Sequence, residues 1–258
     1  MTTERKYEYN RIADIKRLKF IEEKLKKTIS SKGRVLDVGC GNGVISRYLG
    51  SLGYEVLGID VDPKTIAKAA QLNSLPNVSF TVKSAEQLVA EGKQYDAVIC
   101  SEVLEHLNNP SDLLGTLYKS VKDDGVLVVT VPNGKGPREV FVTKPVIKMR
   151  RQNNWIWKFI QGIKRTLGYS GTTTQSDADN LDHVQFFSKT DLEKLAVSNH
   201  FRITDFGKSN FVEDVFPFSF LAKRIKWLQK VDCAIADKLP YGCTGGFLTI
   251  WKKADTIH

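Results

Sequence analysis

Glu102, Glu105 and His106 fall at i, i+3 and i+4 in the segment Tyr95-Asp-Ala-Val-Ile-Cys-Ser-Glu-Val-Leu-Glu-His-Leu-Asn-Asn-Pro110. On a helical turn those three side chains share a face. Two carboxylates and an imidazole that converge at the end of a strand suit a divalent cation. His183, in Asp182-His-Val-Gln-Phe-Phe187, is the fourth candidate ligand. An ion held there would lower the pKa of a bound hydroxyl and orient it. The same residues carry two other readings. A glutamate can cap a short helix while His106 packs as a structural residue, or His183 can act as a general base with no metal.

A second constellation lies upstream. Val35-Leu-Asp-Val-Gly-Cys-Gly-Asn-Gly43 is an apolar strand, then Gly39, Gly41 and Gly43 at alternate positions, then a helical pattern. Such glycines permit a tight turn and let a ligand touch bare main chain at a helix N-terminus. A dinucleotide fingerprint needs Gly-x-Gly-x-x-Gly, but glycine stands at 43, where that spacing does not place it. Asp37, two residues before Gly39, is out of place facing a pyrophosphate and suits a ligand with an ammonium group. Asp60 ends the second strand pattern 17 residues after Gly43, where a carboxylate accepts from both hydroxyls of a ribose. Its alternative role is a helix cap. Ser84-Ala85-Glu86 follows the third strand pattern, placed to border an adenine.

In combination these motifs resemble the class I S-adenosylmethionine-dependent methyltransferases. The resemblance runs through residues 10–133 and resumes over 183–252 as that family's terminal helix and strand pair. It implies an α/β fold: a Rossmann-like, doubly wound seven-stranded sheet whose last strand is antiparallel. It implies S-adenosyl-L-methionine as cofactor, contacted by Gly39, Gly41, Gly43, Asp60 with the adjoining Val61, and Ser101 after the fourth strand, beside Asp37, Ser84 and Ala85. Glu-x-x-Glu-His with a short Asn-Pro loop is similar to the O-methyltransferases of ubiquinone biosynthesis. The small-RNA 2′-O-methyltransferases pair the same motif with a later histidine to hold magnesium over a vicinal diol. Arg17-Leu-Lys-Phe-Ile-Glu-Glu resembles a ubiquinone-type segment whose arginine meets the cofactor's carboxylate, which assigns that role to Arg17. The implied reaction is O-methylation, with Mg2+ on Glu102, Glu105, His106 and His183, and with His183, His106 and Glu105 as the catalytic set. The implied acceptor is a small molecule, a catechol or quinone precursor, or a glycan or lipid-linked compound. The glycan option rests on Pro132-Asn-Gly-Lys-Gly-Pro-Arg-Glu-Val140 and Gly245-Gly-Phe-Leu-Thr-Ile-Trp251, similar to bacterial methyltransferases of glycan and lipid-linked saccharide synthesis. RNA 2′-O-methylation and metal-independent C- or N-methylation of a small molecule stand as alternatives.

The elements that must position these residues alternate. Apolar strand-like runs at 35–38, 56–59, 78–82, 97–100 and 126–131 are separated by helical patterns at 44–52, 64–72, 85–90 and 111–122. That rhythm predicts a largely parallel doubly wound sheet. Asp62-Pro63 is a helix start signal. A helix over 8–29 precedes the sheet, and a helix at 189–198 and strands at 201–206 and 247–251 close it. We expect one methyltransferase domain over 1–258, with an N-terminal helical segment at 1–33 and two insertions, 134–182 and 209–243, forming a cap over the substrate.

Composition narrows the partners. The 258 residues carry a net charge of +9, and nine cations between Gly134 and Ser170 face a single acid, Glu139. Trp155, Trp157, Phe159 and Ile160 stand among those cations, and the 216–230 stretch is again basic and aromatic. Both stretches suit an interfacial helix at an anionic membrane surface; a solvated face or cap core is the other reading. No RNA-binding module is evident, so nucleic acid is not the expected partner. Cys40, Cys100, Cys233 and Cys243 are scattered with no metal or disulfide spacing, which fits a reducing cytosol. The N-terminus shows no secretion signal and no run approaches a membrane span, so the expected place is cytoplasmic, peripheral on the membrane.

Overall fold

The computed structural model describes residues 7–145, 183–215, 218–222 and 224–254. The aromatic and basic residues of 146–182, Trp155 and Trp157 among them, lie outside the described residues.

Along the chain run α1 (Ile12–Thr28), β1 (Arg34–Val38), α2 (Val44–Ser51), β2 (Glu55–Asp60), α3 (Pro63–Leu72), β3 (Val78–Val82), α4 (Ala85–Val89), β4 (Tyr95–Ser101), α5 (Pro110–Ser120) and β5 (Val121–Pro132). After these come a helix Lys189–Ser198, β6 (Phe201–Lys208), short and long helices Phe218–Ala222 and Lys226–Lys238, and β7 (Gly246–Lys253). The strands form one seven-stranded sheet in the order β3-β2-β1-β4-β5-β7-β6. β1 is parallel to β2 and β4, and β7 runs antiparallel to both β5 and β6. This is the seven-stranded class I architecture with its last strand reversed. The order turns at β1, flanked by β2 and β4, so the crevice for a ligand opens at the carboxyl end of β1.

Alternation along each strand divides the core into two layers. Leu36, Val38, Val98, Cys100, Leu127 and Val129 meet Leu114 and Leu117 of α5 and Leu192 of the 189–198 helix. Val35, Val56, Ala97, Ile99, Val126 and Val128 meet Leu18, Ile21 and Leu25 of α1 and Ile45 and Leu49 of α2. Helices on both faces explain why these strands read as unbroken apolar runs. Each such side chain stabilises the fold by roughly 1.5–3 kcal/mol when fully buried. Helix starts follow the signals in the chain: Asp62 accepts from Lys64 N and Thr65 N with Pro63 in the first turn, and Ser84 and Ser188 form capping boxes.

The second insertion docks on α1. Gln229 accepts from Ile12 N at 2.9 Å, which satisfies a first-turn donor of α1, and Arg11 reaches Glu213 and Asp214 at 2.7 and 2.8 Å. Asp232 accepts from the main chain of Phe211 and Val212 at 2.8 and 2.9 Å. The 226–238 helix therefore buries Gln229 and Asp232 together with the small Cys233 and Ala236, and leaves Trp227, Val231 and Ile235 exposed. Among the described residues no helix is long and apolar enough to cross a membrane.

Candidate functional site

The loop after β1 makes a cradle from main chain. Gly39, Gly41 and Gly43 all take left-handed φ, +66°, +54° and +76°. Space adds to conformation as a reason for glycine: a Cβ at Gly39 would stand 2.6 Å from Val103, and one at Gly43 would stand 2.4 Å from the Phe80 ring. Gly43 N-caps α2, whose first amides open toward the crevice. Beneath the loop Asp37 is buried, with one oxygen accepting from Ser46 Oγ at 2.6 Å. Burial pushes its carboxyl up to about 7, opposed by the Ser46 bond and reinforced by the charge of Asp60. Asp60, at the end of β2, accepts from Gly41 N at 3.1 Å and from Asp62 N at 3.0 Å, which ties its carboxylate to the rim of the cradle. Val61 beside it is 71% exposed, an apolar shelf. Ser84 is spent on the α4 cap, where Gln87 N donates to it, and Ala85 is buried behind it.

Three loops meet on the other side of Gly39. The first follows β4. Ser101 is buried and shares a 2.8 Å hydrogen bond with Thr130. Glu102 takes φ +58°, rare for a residue with a side chain, and is held there by several bonds. Its N donates to Thr130 O at 2.9 Å, its carboxylate accepts from Thr130 Oγ1 at 2.9 Å, and it pairs with Arg17 at 3.2 Å. A short 3-10 turn, Leu104–His106, then carries Glu105 and His106.

The second loop, after β5, runs through Gly134, where a Cβ would stand 2.3 Å from the main chain of Phe186. It leads into a π-helical turn, Glu139–Thr143, whose Glu139 is 1% exposed. The third loop, 183–188, is laced to both. Val184 N and Gln185 N donate to Glu105 O at 2.9 and 3.0 Å, and Gly134 N donates to Phe187 O at 2.8 Å.

This lacing brings His183 over Glu105 and His106. One ligand atom of each of the three lies within 4.8 Å of the others, and the two imidazole rings stand edge to face at 5.2 Å. Glu105 is buried with Oε2 lacking a hydrogen-bond partner, and His106 Nε2 stands 3.8 Å from its Oε1. Burial first, and the charge of Glu102 second, hold the Glu105 carboxyl well above the usual range. Burial, with His183 adding and Glu102 opposing, lowers the pKa of His106, which favours its uncharged imidazole. Glu139 Oε1 approaches His183 Nδ1 at 3.4 Å.

The expected shared face of Glu102, Glu105 and His106 is not what forms. Glu102 precedes the turn and its carboxylate is engaged by Arg17 and Thr130, so the described cluster is Glu105, His106 and His183. The reason is length. α5 begins at Pro110, and Leu104 must be buried in the core, so only a 3-10 turn fits between them. Arg17 is buried, pairs with Asp14 at 2.8 Å as well as with Glu102, and its Nε has no hydrogen-bond partner. Glu139 went unnoticed as a site residue. Its one signal was being the lone acid in a basic segment.

A methyltransferase-domain family model matches residues 5–205, most of the chain. The ubiquinone biosynthesis O-methyltransferase of Xanthomonas axonopodis pv. citri is 36% identical over 121 residues, 45% of this chain and 49% of that protein. The enzyme of that name from Pseudomonas entomophila is 35% identical over 135 residues, 50% of this chain and 57% of the relative. The chain thus spans about half the length of the curated relatives it matches. The fold is shared with magnesium protoporphyrin IX methyltransferase from Synechocystis PCC 6803, solved with bound S-adenosylhomocysteine. The TM-score is 0.56 at 18% identity, covering 94% of this chain and 84% of that one. The chain belongs to the methyltransferase-domain family.

Proposed function

We propose that this protein moves the methyl group of S-adenosylmethionine to a hydroxyl of a small-molecule or lipid-linked acceptor, a quinone precursor, catechol or glycan. The observation that carries this reading is the meeting of Glu105, His106 and His183 beside Val103, which itself packs against Gly39 of the cradle. The relatives' activity, ubiquinone-biosynthesis O-methylation, supports the oxygen acceptor.

The crevice fits the cofactor on three counts. Two neighbouring acids, Asp37 and Asp60, suit an ammonium group and ribose hydroxyls; the bare glycine turn suits close contact; and the unpartnered Nε of buried Arg17 suits a carboxylate. When bound, S-adenosylmethionine supplies a sulfonium with an electrophilic methyl carbon. In this reading Asp37 neutralises the ammonium, Arg17 takes the carboxylate, Asp60 holds the ribose, and Val61, Ser84 and Ala85 border the base. Ser101 lines the floor with its main chain, since its hydroxyl is bonded to Thr130.

At the acceptor side the imidazole of His183 or His106 takes the hydroxyl proton, which a poor nucleophile must lose. The same three residues offer a divalent ion the unpartnered Glu105 Oε2 and two imidazoles, a donor set richer in nitrogen than Mg2+ ordinarily takes. Glu105, His106 and His183 would hold it, Glu102 standing behind them on Arg17, and it would supply Lewis acidity toward the hydroxyl.

We further read 1–258 as one domain whose insertions cap the acceptor. The 226–238 helix favours peripheral contact with an anionic membrane. Trp227, Val231 and Ile235 face outward between exposed Lys226, Lys230 and Lys238, while only Cys233 and Ala236 of its apolar residues are fully buried. A transfer screen with tritium-labelled methyl donor over catechols, glycans and short RNA tests the acceptor. Label in RNA alone, or in an amine, would overturn the O-methyl small-molecule reading.

A further inference from the structure

Glu139 is buried at 1% exposure, yet among the described residues neither carboxylate oxygen has a hydrogen-bond partner. A carboxylate in that state is costly and needs a reason. Among the described residues the nearby cations do not supply one: Lys144 Nζ donates to Gly134 O at 2.7 Å, and Arg138 is exposed. What faces Glu139 is His183, with Nδ1 at 3.4 Å from Oε1. The approach is built by main chain from both sides. Gly134 N is tied to Phe187 O, and Val184 N and Gln185 N are tied to Glu105 O. The β5 loop can come this close because Gly134 has no Cβ to strike Phe186.

We propose that Glu139 is the positioning residue of the acceptor site: a small rotation of either side chain turns the 3.4 Å approach into a hydrogen bond in which Glu139 accepts the Nδ1–H of His183, reserving the Nε2 lone pair for chemistry. An imidazole hydrogen is on one nitrogen or the other, and the partner of one decides the state of the second. A base that takes a hydroxyl proton and a ligand that holds an ion both need that lone pair, and a carboxylate behind the ring serves either use. The inference therefore stands whichever of the two His183 performs, and it requires no ion.

Long-range 1H–15N correlation spectra of the full chain labelled in histidine test it at about pH 8. The chain has only 4 imidazoles, and H183Q and H106Q assign the two that matter. His183 is expected as the Nδ1–H form. E139Q keeps an acceptor oxygen and retains that form, whereas E139L lets the ring return to the Nε2–H form that free imidazole favours. Turnover in E139L falls by about 10–100-fold and recovers in E139Q, in line with losses of outer partners behind histidines. Thermal unfolding and S-adenosylhomocysteine binding establish that E139L is folded. An Nε2–H ring in the unaltered protein overturns the proposal even should E139L fail to fold, as does an E139L protein that keeps Nδ1–H.

Discussion

Lowering the pH from 7.5 to 5.5 should weaken S-adenosylhomocysteine binding through Asp37. Its carboxyl sits at about 7 in the free protein, because burial outweighs the Ser46 hydrogen bond and Asp60 adds like charge. A ligand ammonium beside it restores a value near the ordinary ~3.9, so binding below pH 7 must expel a proton. Between pH 7.5 and 5.5 this predicts a Kd about 25-fold weaker, about 1.9 kcal/mol. Calorimetry in two buffers of different ionisation enthalpy should count about one proton released per ligand at pH 5.5 and about 0.1 at pH 8. D37N should bind more weakly at pH 7.5 and lose the pH slope. Stability is the poorer readout although its sign is clear. A carboxyl raised in the folded state stabilises fully below its unfolded pKa, and that contribution disappears as pH climbs through the folded value near 7. Glu213, also pushed up to about 7 by burial, acts in the same direction, so a melting curve mixes the two. Binding isolates Asp37. A Kd constant within twofold across this range, matched by an equally flat D37N, would refute the assignment of Asp37 to the ammonium.

Other outcomes follow from the same geometry. G43A must strain a φ of +76° and strike Phe80, so it should cost about 1–3 kcal/mol of stability and raise the Kd for S-adenosylhomocysteine at least tenfold, read by denaturant unfolding and calorimetry. H183A should lower turnover about 10²–10⁴-fold while binding of S-adenosylhomocysteine stays within threefold; near-normal turnover removes His183 from the chemistry. Chelator-treated protein should lose most activity and regain it with Mg2+, and E105Q should abolish that response; full activity after chelation ends the metal reading. Sedimentation with vesicles rich in phosphatidylglycerol should carry the protein down, and W227S/I235S should release about half or more of it; equal sedimentation of the variant would move the contact elsewhere.

The parts of this molecule that could be read in advance are those set by near neighbours in the chain. Val35–Val38 and Val126–Val131 are apolar without interruption because helices cover both faces, and that burial is written in residue type alone. Asp62-Pro63 and the glycines at 39, 41 and 43 likewise act through their own backbone, and each stands where its type demands. The shared face expected of Glu102 with Glu105 and His106 does not form, because i, i+3, i+4 spacing has meaning only on an α-turn. Whether that turn forms depends on how soon α5 begins and how deeply Leu104 must sink. The buried face of the 226–238 helix escaped for a related reason. Gln229 and Asp232 are inside because main-chain donors at Ile12, Phe211 and Val212 await them, and periodicity carries no record of distant donors.

The acceptor site is the extreme case. His183 reaches Glu105 through amides of Val184 and Gln185, and Glu139 reaches His183 through a loop that only Gly134 lets approach. No residue type announces those contacts. The cofactor crevice and the acceptor cluster therefore answer to different constraints. The first tolerates almost no change at the β1 turn, since each glycine is held by its own φ. The second can be rebuilt by altering a loop length at 107–110 or 134–139 while the cradle stays intact. On the proposed function, a loop change there should alter which acceptor is methylated before it alters how tightly S-adenosylmethionine is held.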